Sequence, residues 1–254
     1  MLRARTIPIL LLRNKGLVKT VQFGKSKYIG DPINAVKLFN DKEVDELVFL
    51  DIDASKEGRK PDFDYIQSIA SECFMPLGYG GGIGTMNDIS KLFSIGVEKV
   101  IINSNIITNL DLIREASSIY GNQSIVVSID VQKTLFGKYQ LYSHSKIKHK
   151  QLDLFQFAKD AEVAGAGEIL VNSVDRDGMM TGYDLKLIQR LSDTLSVPLV
   201  MAGGAGNLNH LREAIDAGAS AAAAGSLFIF HGPHKAVLIN YPTNKELKDI
   251  FQNR

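Results

Sequence analysis

The chain has 254 residues, 45% of them hydrophobic and 22% charged, a composition that supplies a full core and excludes disordered and fibrous classes. Its 29 basic and 28 acidic residues leave a formal charge of +1, which excludes a broad positive footprint for nucleic acid or an anionic membrane, so any anion site is local. Cys73 is the only cysteine, which excludes an intrachain disulfide and points to a cytoplasmic protein, and the apolar run Ile7–Leu12 is too short for a signal core or a membrane span.

In chain order, apolar runs of strand length occur at Thr6–Leu12, Glu46–Asp51, Met75–Tyr79, Glu98–Ile102, Ile125–Asp130, Glu168–Asn172, Val197–Met201 and Ser220–Ala224. Between them the spacing predicts amphipathic helices over Pro32–Asn40, Asp62–Glu72, Met86–Ile95, Asp111–Ser118, Leu152–Ala164, Leu185–Leu195 and Leu208–Ala217. Eight such units in this length predict an α/β protein, a closed (βα)8 barrel in one domain spanning 1–254, over an open doubly wound sheet. The five histidines lack the cysteine or carboxylate spacing of a zinc site, so neither a metal nor a cofactor is expected.

An internal repeat refines this expectation. Glu46-Leu-Val matches Glu168-Ile-Leu at an offset of 122 residues. At the same offset Met75-Pro-Leu-Gly-Tyr-Gly-Gly-Gly-Ile-Gly matches Val197-Pro-Leu-Val-Met-Ala-Gly-Gly-Ala-Gly, and the register holds to Asn103-Ser104 against Gly225-Ser226. The barrel is therefore expected to be two homologous (βα)4 half-barrels, about 1–122 and 123–245, with duplicated sites.

The repeated glycines Gly81, Gly82, Gly203 and Gly204 follow predicted strands at the face where such barrels place their active sites. Asn103, Ser104, Gly225 and Ser226 follow the next strand of each half. Glycine alone is commonest in tight turns, but the paired loops favour two phosphate sites and a phosphorylated small-molecule substrate. Asp130 ends its strand as an acid–base candidate, with a turn cap as the alternative. Asp177, in a loop bracketed by Gly178 and Gly182, is a second catalytic candidate, against a solvated loop acid. The first strand, Ile7-Pro-Ile-Leu-Leu-Leu-Arg13, ends without a carboxylate. Arg5, Glu46, Lys99 and Glu168 lie at strand starts, where an ion network that stabilises the lower face is the plainer reading.

Taken with Asp45-Glu-Leu-Val-Phe-Leu-Asp-Ile-Asp-Ala-Ser55, Gly80-Gly-Gly-Ile83, Gly167-Glu-Ile-Leu170, Asp175-Arg-Asp-Gly178, Thr181-Gly-Tyr-Asp184 and Gly203-Gly-Ala-Gly206, the whole chain resembles the cyclase subunit family of imidazole glycerol phosphate synthase. The resemblance implies a heterodimer with a glutaminase subunit. That partner would send ammonia through a charged gate of Arg5, Glu46, Lys99 and Glu168 to a bisphosphate at the top. It also implies phosphate binding at Gly81, Gly82, Asn103, Ser104, Gly203, Gly204, Gly225 and Ser226, and catalytic aspartates at the ends of strands one and five. Asp130 matches the second of these, but the first falls on Leu11. Leu17–Phe23 and Tyr28–Ala35 resemble the divergent paralogues found with amidinosugar genes of surface polysaccharides, which implies conversion of an acetamido to an acetamidino group on a nucleotide-linked sugar. Authentic cyclase activity in histidine biosynthesis and a non-catalytic ammonia-conducting scaffold are the alternatives.

Overall fold

A computed structural model describes residues 4–103, 109–143 and 152–252; the candidate Ser104 lies outside them, as do His144 and His149. The first unit comprises β1 (Arg5–Arg13), the hairpin strands β2 (Gly16–Lys19) and β3 (Lys27–Gly30), and α1 (Pro32–Asp41). Then come β4 (Leu47–Asp51), α2 (Phe63–Ala70), β5 (Leu77–Gly80), α3 (Met86–Ser94), β6 (Lys99–Ile102) and α4 (Asp111–Tyr120). The second half runs through β7 (Ile125–Lys133), β8 (Tyr139–Leu141), α5 (Leu154–Val163), β9 (Glu168–Ser173), α6 (Leu185–Thr194), β10 (Leu199–Ala202), α7 (Leu208–Asp216) and β11 (Ala221–Ala224). It closes with α8 (Ser226–Ile229), the short hairpin β12 (Phe230–His231) and β13 (Ala236–Val237), and α9 (Asn244–Gln252).

The strands β1, β4, β5, β6, β7, β9, β10 and β11 pair in parallel in that order, and β11 returns to β1 from Arg5↔Ala221 to Pro8↔Ala224. The protein is a closed (βα)8 barrel, as the alternating runs predict. Most barrel helices begin at a side-chain cap that satisfies an orphan backbone N–H: Asp31, Asp62, Thr85, Asp153, Asp184 and Asn207 each accept from a residue two or three positions on.

The period-2 alternation of the strands divides the apolar residues between two cores. Ile7, Ile9, Leu11, Val48, Ile101, Val126, Leu170 and Val200 point into the barrel. Leu10, Leu12, Phe49, Ile102, Val127, Ile129, Val171 and Met201 point outward, against the helices. A strand of this barrel thus delivers a vertical line of inward side chains. On β9 the line is Glu168, Leu170 and Asn172, and on β7 it is Val126, Ser128 and Asp130.

The 122-residue offset expected from the sequence can be followed in the ladder register. Leu50 and Asn172 stand at the 122-residue offset. The residue paired with Leu50 is Leu11, and the residue paired with Asn172 is Asp130. Leu11 therefore occupies in the first half the position that Asp130 occupies in the second.

Three features go beyond the sequence reading. β1 and β7 run on past their apolar cores to Arg13 and Lys133, and each folds back into an antiparallel partner, β2 or β8. The eighth unit carries α9 as its outer helix, and no helix was expected there.

Candidate active site

A cavity of about 610 Å³ opens at the C-terminal ends of the barrel strands. It brings together Gly81, Gly82, Asn103, Asp130, Asp177, Gly203, Gly204, Gly225 and Ser226, every described candidate expected at this face. Leu11 lines it as well.

Within it Asp130, half-buried and directed inward from β7, accepts a hydrogen bond from Asn103 Nδ2 at 2.8 Å. Removal from bulk water raises the Asp130 pKa to about 7; the Asn103 hydrogen bond opposes that shift and the Asp177 charge reinforces it. A carboxyl group poised there can take or give a proton near neutral pH. No turn or helix N–H is capped by it, so the capping alternative falls away among the described residues.

Asp177 is buried at 4% exposure, which rules out the solvated-acid alternative. Lys19 Nζ donates to its Oδ1 at 2.9 Å and Thr20 Oγ1 donates to its Oδ2 at 2.7 Å. The contact joins β2 to the loop after β9 across 158 residues of sequence. Lys19 also passes beside the Gly225–Ser226 turn, where a β-carbon on Gly225 would lie 3.2 Å from Nζ, so its ammonium group is available to an anion seated on that turn.

The paired glycine loops share a backbone geometry. Gly82 and Gly204 have φ of +72° and +117°, and a β-carbon on either would come within 2.4 Å of the Arg59 or 2.1 Å of the Gly182 carbonyl oxygen. Only glycine permits both the left-handed conformation and that approach of the neighbouring loop. Tight packing is thus one reason for the residue type. Ser226 Oγ and Asn172 Oδ1 supply the second line of evidence, since both are buried without a hydrogen-bond partner among the described residues and belong to residues that line the cavity.

At the opposite end Arg5, Glu46, Lys99 and Glu168 form a closed ring of alternating charge. Arg5 pairs with Glu46 at 2.6 Å and with Glu168, and Lys99 reaches the same carboxylates at 2.7 and 3.4 Å. Burial works against the Arg5 charge, but Glu168 and Glu46 together hold its pKa above the ordinary value. Directly above the ring a void of about 10 Å³ is walled by Ile7, Val48, Val126 and Val200. Ile9, Ile101, Leu170 and Ala223 line both this void and the upper cavity.

Lys19, Thr20, Ser128 and Asn172 are cavity residues that the sequence reading missed. The last two carried a signal: they fall two residues below Asp130 and four above Glu168, on the same inward lines. Among the described residues no group of three or more His, Cys, Asp or Glu side chains could hold a metal ion, and no helix is long and apolar enough to cross a membrane.

Residues 5–234 match the model of the family described as histidine biosynthesis protein. The chain is 47% identical over 248 residues, 97% of its length and 99% of the relative's, to a Pseudomonas aeruginosa protein named "Putative imidazole glycerol phosphate synthase subunit hisF2". It is 48% identical over 254 residues, covering 99% and 98% of the two chains, to the Vibrio vulnificus protein whose name differs only in ending hisF3. A third relative, the imidazole glycerol phosphate synthase subunit HisF of Exiguobacterium sibiricum, is 40% identical over 254 residues, 100% of this chain and 98% of its own. With its closed barrel and full-length likeness to these proteins, the chain belongs to the histidine biosynthesis protein family, as a divergent HisF-type subunit.

Proposed function

We propose that this barrel works in a heterodimer with a glutaminase subunit, receives ammonia through its lower face, and supports transfer of that ammonia to a phosphorylated or nucleotide-linked sugar. The reaction is conversion of an acetamido to an acetamidino group in polysaccharide biosynthesis: ammonia adds to the acetamido carbonyl carbon, the C–O bond breaks, and the oxygen leaves as water. The observation that carries this reading is Leu11: the residue equivalent to Asp130 in the other half-barrel is a leucine paired with Leu50 and Val18. Leucine neither donates nor accepts a proton, so a cyclisation that needs two carboxyl groups lacks one of them.

Ammonia conduction is supported by the sequence of surfaces below the cavity. A charged ring, an apolar void and the cavity floor follow one another along the barrel axis. An apolar path suits neutral ammonia and disfavours ammonium, whose charge is costly to strip of water. Arg5, Glu46, Lys99 and Glu168 act as the gate of this path. The two glycine loops, with Asn103, Ser104, Gly225 and Ser226, hold anionic groups of the acceptor, and their repetition reflects two related half-barrels, about 1–122 and 123–245, in one domain. Asp130 and Asp177 are the catalytic residues.

The purified protein, supplied with the histidine-pathway bisphosphate and an ammonium salt, is expected to show no turnover at a normal enzyme rate. Such turnover would overturn the reading in favour of the second one, authentic cyclase activity. The full-length likeness to the Exiguobacterium sibiricum HisF subunit and the presence of Asp130 and Asp177 favour that second reading.

A further inference from the structure

The two glycine loops are backed by different residues. The loop after β4 packs on the first of them: the Gly82 N–H donates to Ser55 Oγ at 3.4 Å, and a β-carbon on Gly82 would lie 3.2 Å from that of Ala54. At the 122-residue offset Ser55 stands against Asp177 and Lys56 against Gly178. The second half therefore places a carboxylate at this position, where it balances the charge of Lys19. The first half places a hydroxyl there and follows it with a cation. Ser55 and Lys56 both line the cavity, and Lys56 lies one residue beyond the Asp45–Ser55 segment that carries the family resemblance.

Lys56 is poorly satisfied where it sits. Among the described residues its ion contact is Asp53 Oδ1 alone, at 3.8 Å, and that oxygen already accepts from Arg13 Nη2 at 2.8 Å. The neighbouring carboxylate, Asp51, is engaged by the backbone N–H groups of Asp53 and Ala54 and by Arg59 at 3.3 Å. Two cations of the cavity wall, Arg13 and Lys56, thus share the one carboxylate of Asp53. A phosphoryl oxygen offers Lys56 a shorter, charge-assisted hydrogen bond than the one it has. We propose that Lys56 and Ser55 extend the Gly81–Gly82 loop into a site for a diphosphate, with one phosphoryl group on the loop backbone and the adjacent one on the Lys56 ammonium group. A sugar bisphosphate carries its phosphates at separate ends and has no second group to place there, whereas a nucleotide-linked sugar carries two side by side. This inference rests on the nucleotide-sugar reading above for the identity of the ligand and adds the residues that hold its diphosphate.

Isothermal titration of the full-length protein with UDP-N-acetylglucosamine and with inorganic pyrophosphate tests it, because the second probe presents the diphosphate without nucleoside or sugar. Lys56→Met is expected to weaken both probes about tenfold, the order expected of one charge-assisted hydrogen bond. Lys56→Arg, which keeps the charge, is expected to stay within about twofold of wild type. Lys248→Met on the exposed face of α9 removes the same charge far along the chain from the cavity residues and is expected to change neither affinity. Binding of UDP-N-acetylglucosamine that Lys56→Met leaves intact, or weakens no more than Lys248→Met does, overturns the diphosphate site and leaves the nucleotide-sugar reading standing. Pyrophosphate binding that depends on Lys56, without binding of UDP-N-acetylglucosamine, overturns that reading and leaves the site. If the wild-type protein binds neither probe, both fall.

Discussion

Asp130 joins two properties, a place in the wall of an open cavity and a pKa raised to about 7. Its replacement by Asn keeps the shape and the contact region of Asn103 but removes the proton. Asp130→Asn is expected to lower product formation by the complete system by roughly 10²- to 10⁴-fold, the usual worth of a positioned acid or base. An undiminished yield would instead mark the barrel as a conduit that leaves the chemistry to another protein. The same variant has a signature in stability. Between about pH 4 and 7 the folded protein holds a proton on Asp130 that the unfolded chain has released, so this group destabilises the fold progressively as pH rises through that window. Urea titrations at pH values across the window are expected to show that fall in the wild type and a flatter profile in Asp130→Asn. Leu11 is the counterpart experiment. Leu11→Asp restores a carboxyl at the equivalent ladder position, and turnover of the histidine-pathway bisphosphate with ammonium is expected to rise at least tenfold from background, within the range a second acid–base group supplies. No change would mean that this chain completes cyclisation without the first-strand acid.

The elements that hold these residues differ in how openly the sequence declares them. The eight barrel strands were legible because each is an unbroken apolar run between helical spacings, and the inward residues follow from alternation once one of them is placed. Asp177 lay in plain view, yet its partner Lys19 did not: the ion pair spans the chain, and Lys19 sits in a hairpin whose two short strands carry no alternating pattern of their own. The helix α9 was hidden for a related reason, since Asn244–Gln252 is mostly polar and anchors itself chiefly through the fully buried Leu247. The Lys19–Asp177 contact makes β2 and the loop after β9 a single mechanical unit. Lys19→Met would leave the buried Asp177 carboxylate with only the Thr20 hydroxyl and the Phe23 backbone N–H as described partners, and breaking a buried ion pair in this way costs about 3–5 kcal/mol. Chemical denaturation is expected to read that loss, and hydrogen exchange is expected to quicken in residues 16–24 and 174–182 ahead of the barrel strands. Uniform quickening across the barrel would show instead that the pair is coupled to the whole core.

At the scale of the whole molecule the barrel is a vertical sequence of surfaces, charged at the bottom, apolar in the middle and opening at the top into a cavity of mixed polar and apolar lining. Ring and cavity were each legible as strand-start charges and strand-end glycines; the apolar passage between them was not, because it consists of ordinary core residues such as Ile101 and Leu170, whose role depends on closure of the sheet. If the ring served stability alone, weakening it would reduce all activities in proportion to the protein that remains folded. If it gates ammonia, weakening it separates two activities that otherwise run together. Lys99→Ala makes the distinction, because it removes one cation from between Glu46 and Glu168 while Arg5 still bridges both carboxylates. The remaining Arg5 contacts limit the loss of stability to about 1–3 kcal/mol, the cost of leaving hydrogen-bonding groups without one partner. Ammonium added from solution reaches the upper cavity through its open mouth, so turnover driven by ammonium salts is expected to stay within about twofold of wild type, less than the tenfold that 1.4 kcal/mol would produce. Under the proposed function, ammonia released by a glutaminase at the lower face passes the ring, and with Lys99 gone it would escape to solvent there as readily as it enters. Glutamine-driven product formation per glutamine hydrolysed is therefore expected to fall by about tenfold in the assembled heterodimer, a change of about 1.4 kcal/mol in the partition between passage and leakage. Measuring both ratios on one preparation settles the role of the ring, since a proportional fall in the two would return Arg5, Glu46, Lys99 and Glu168 to a purely stabilising network.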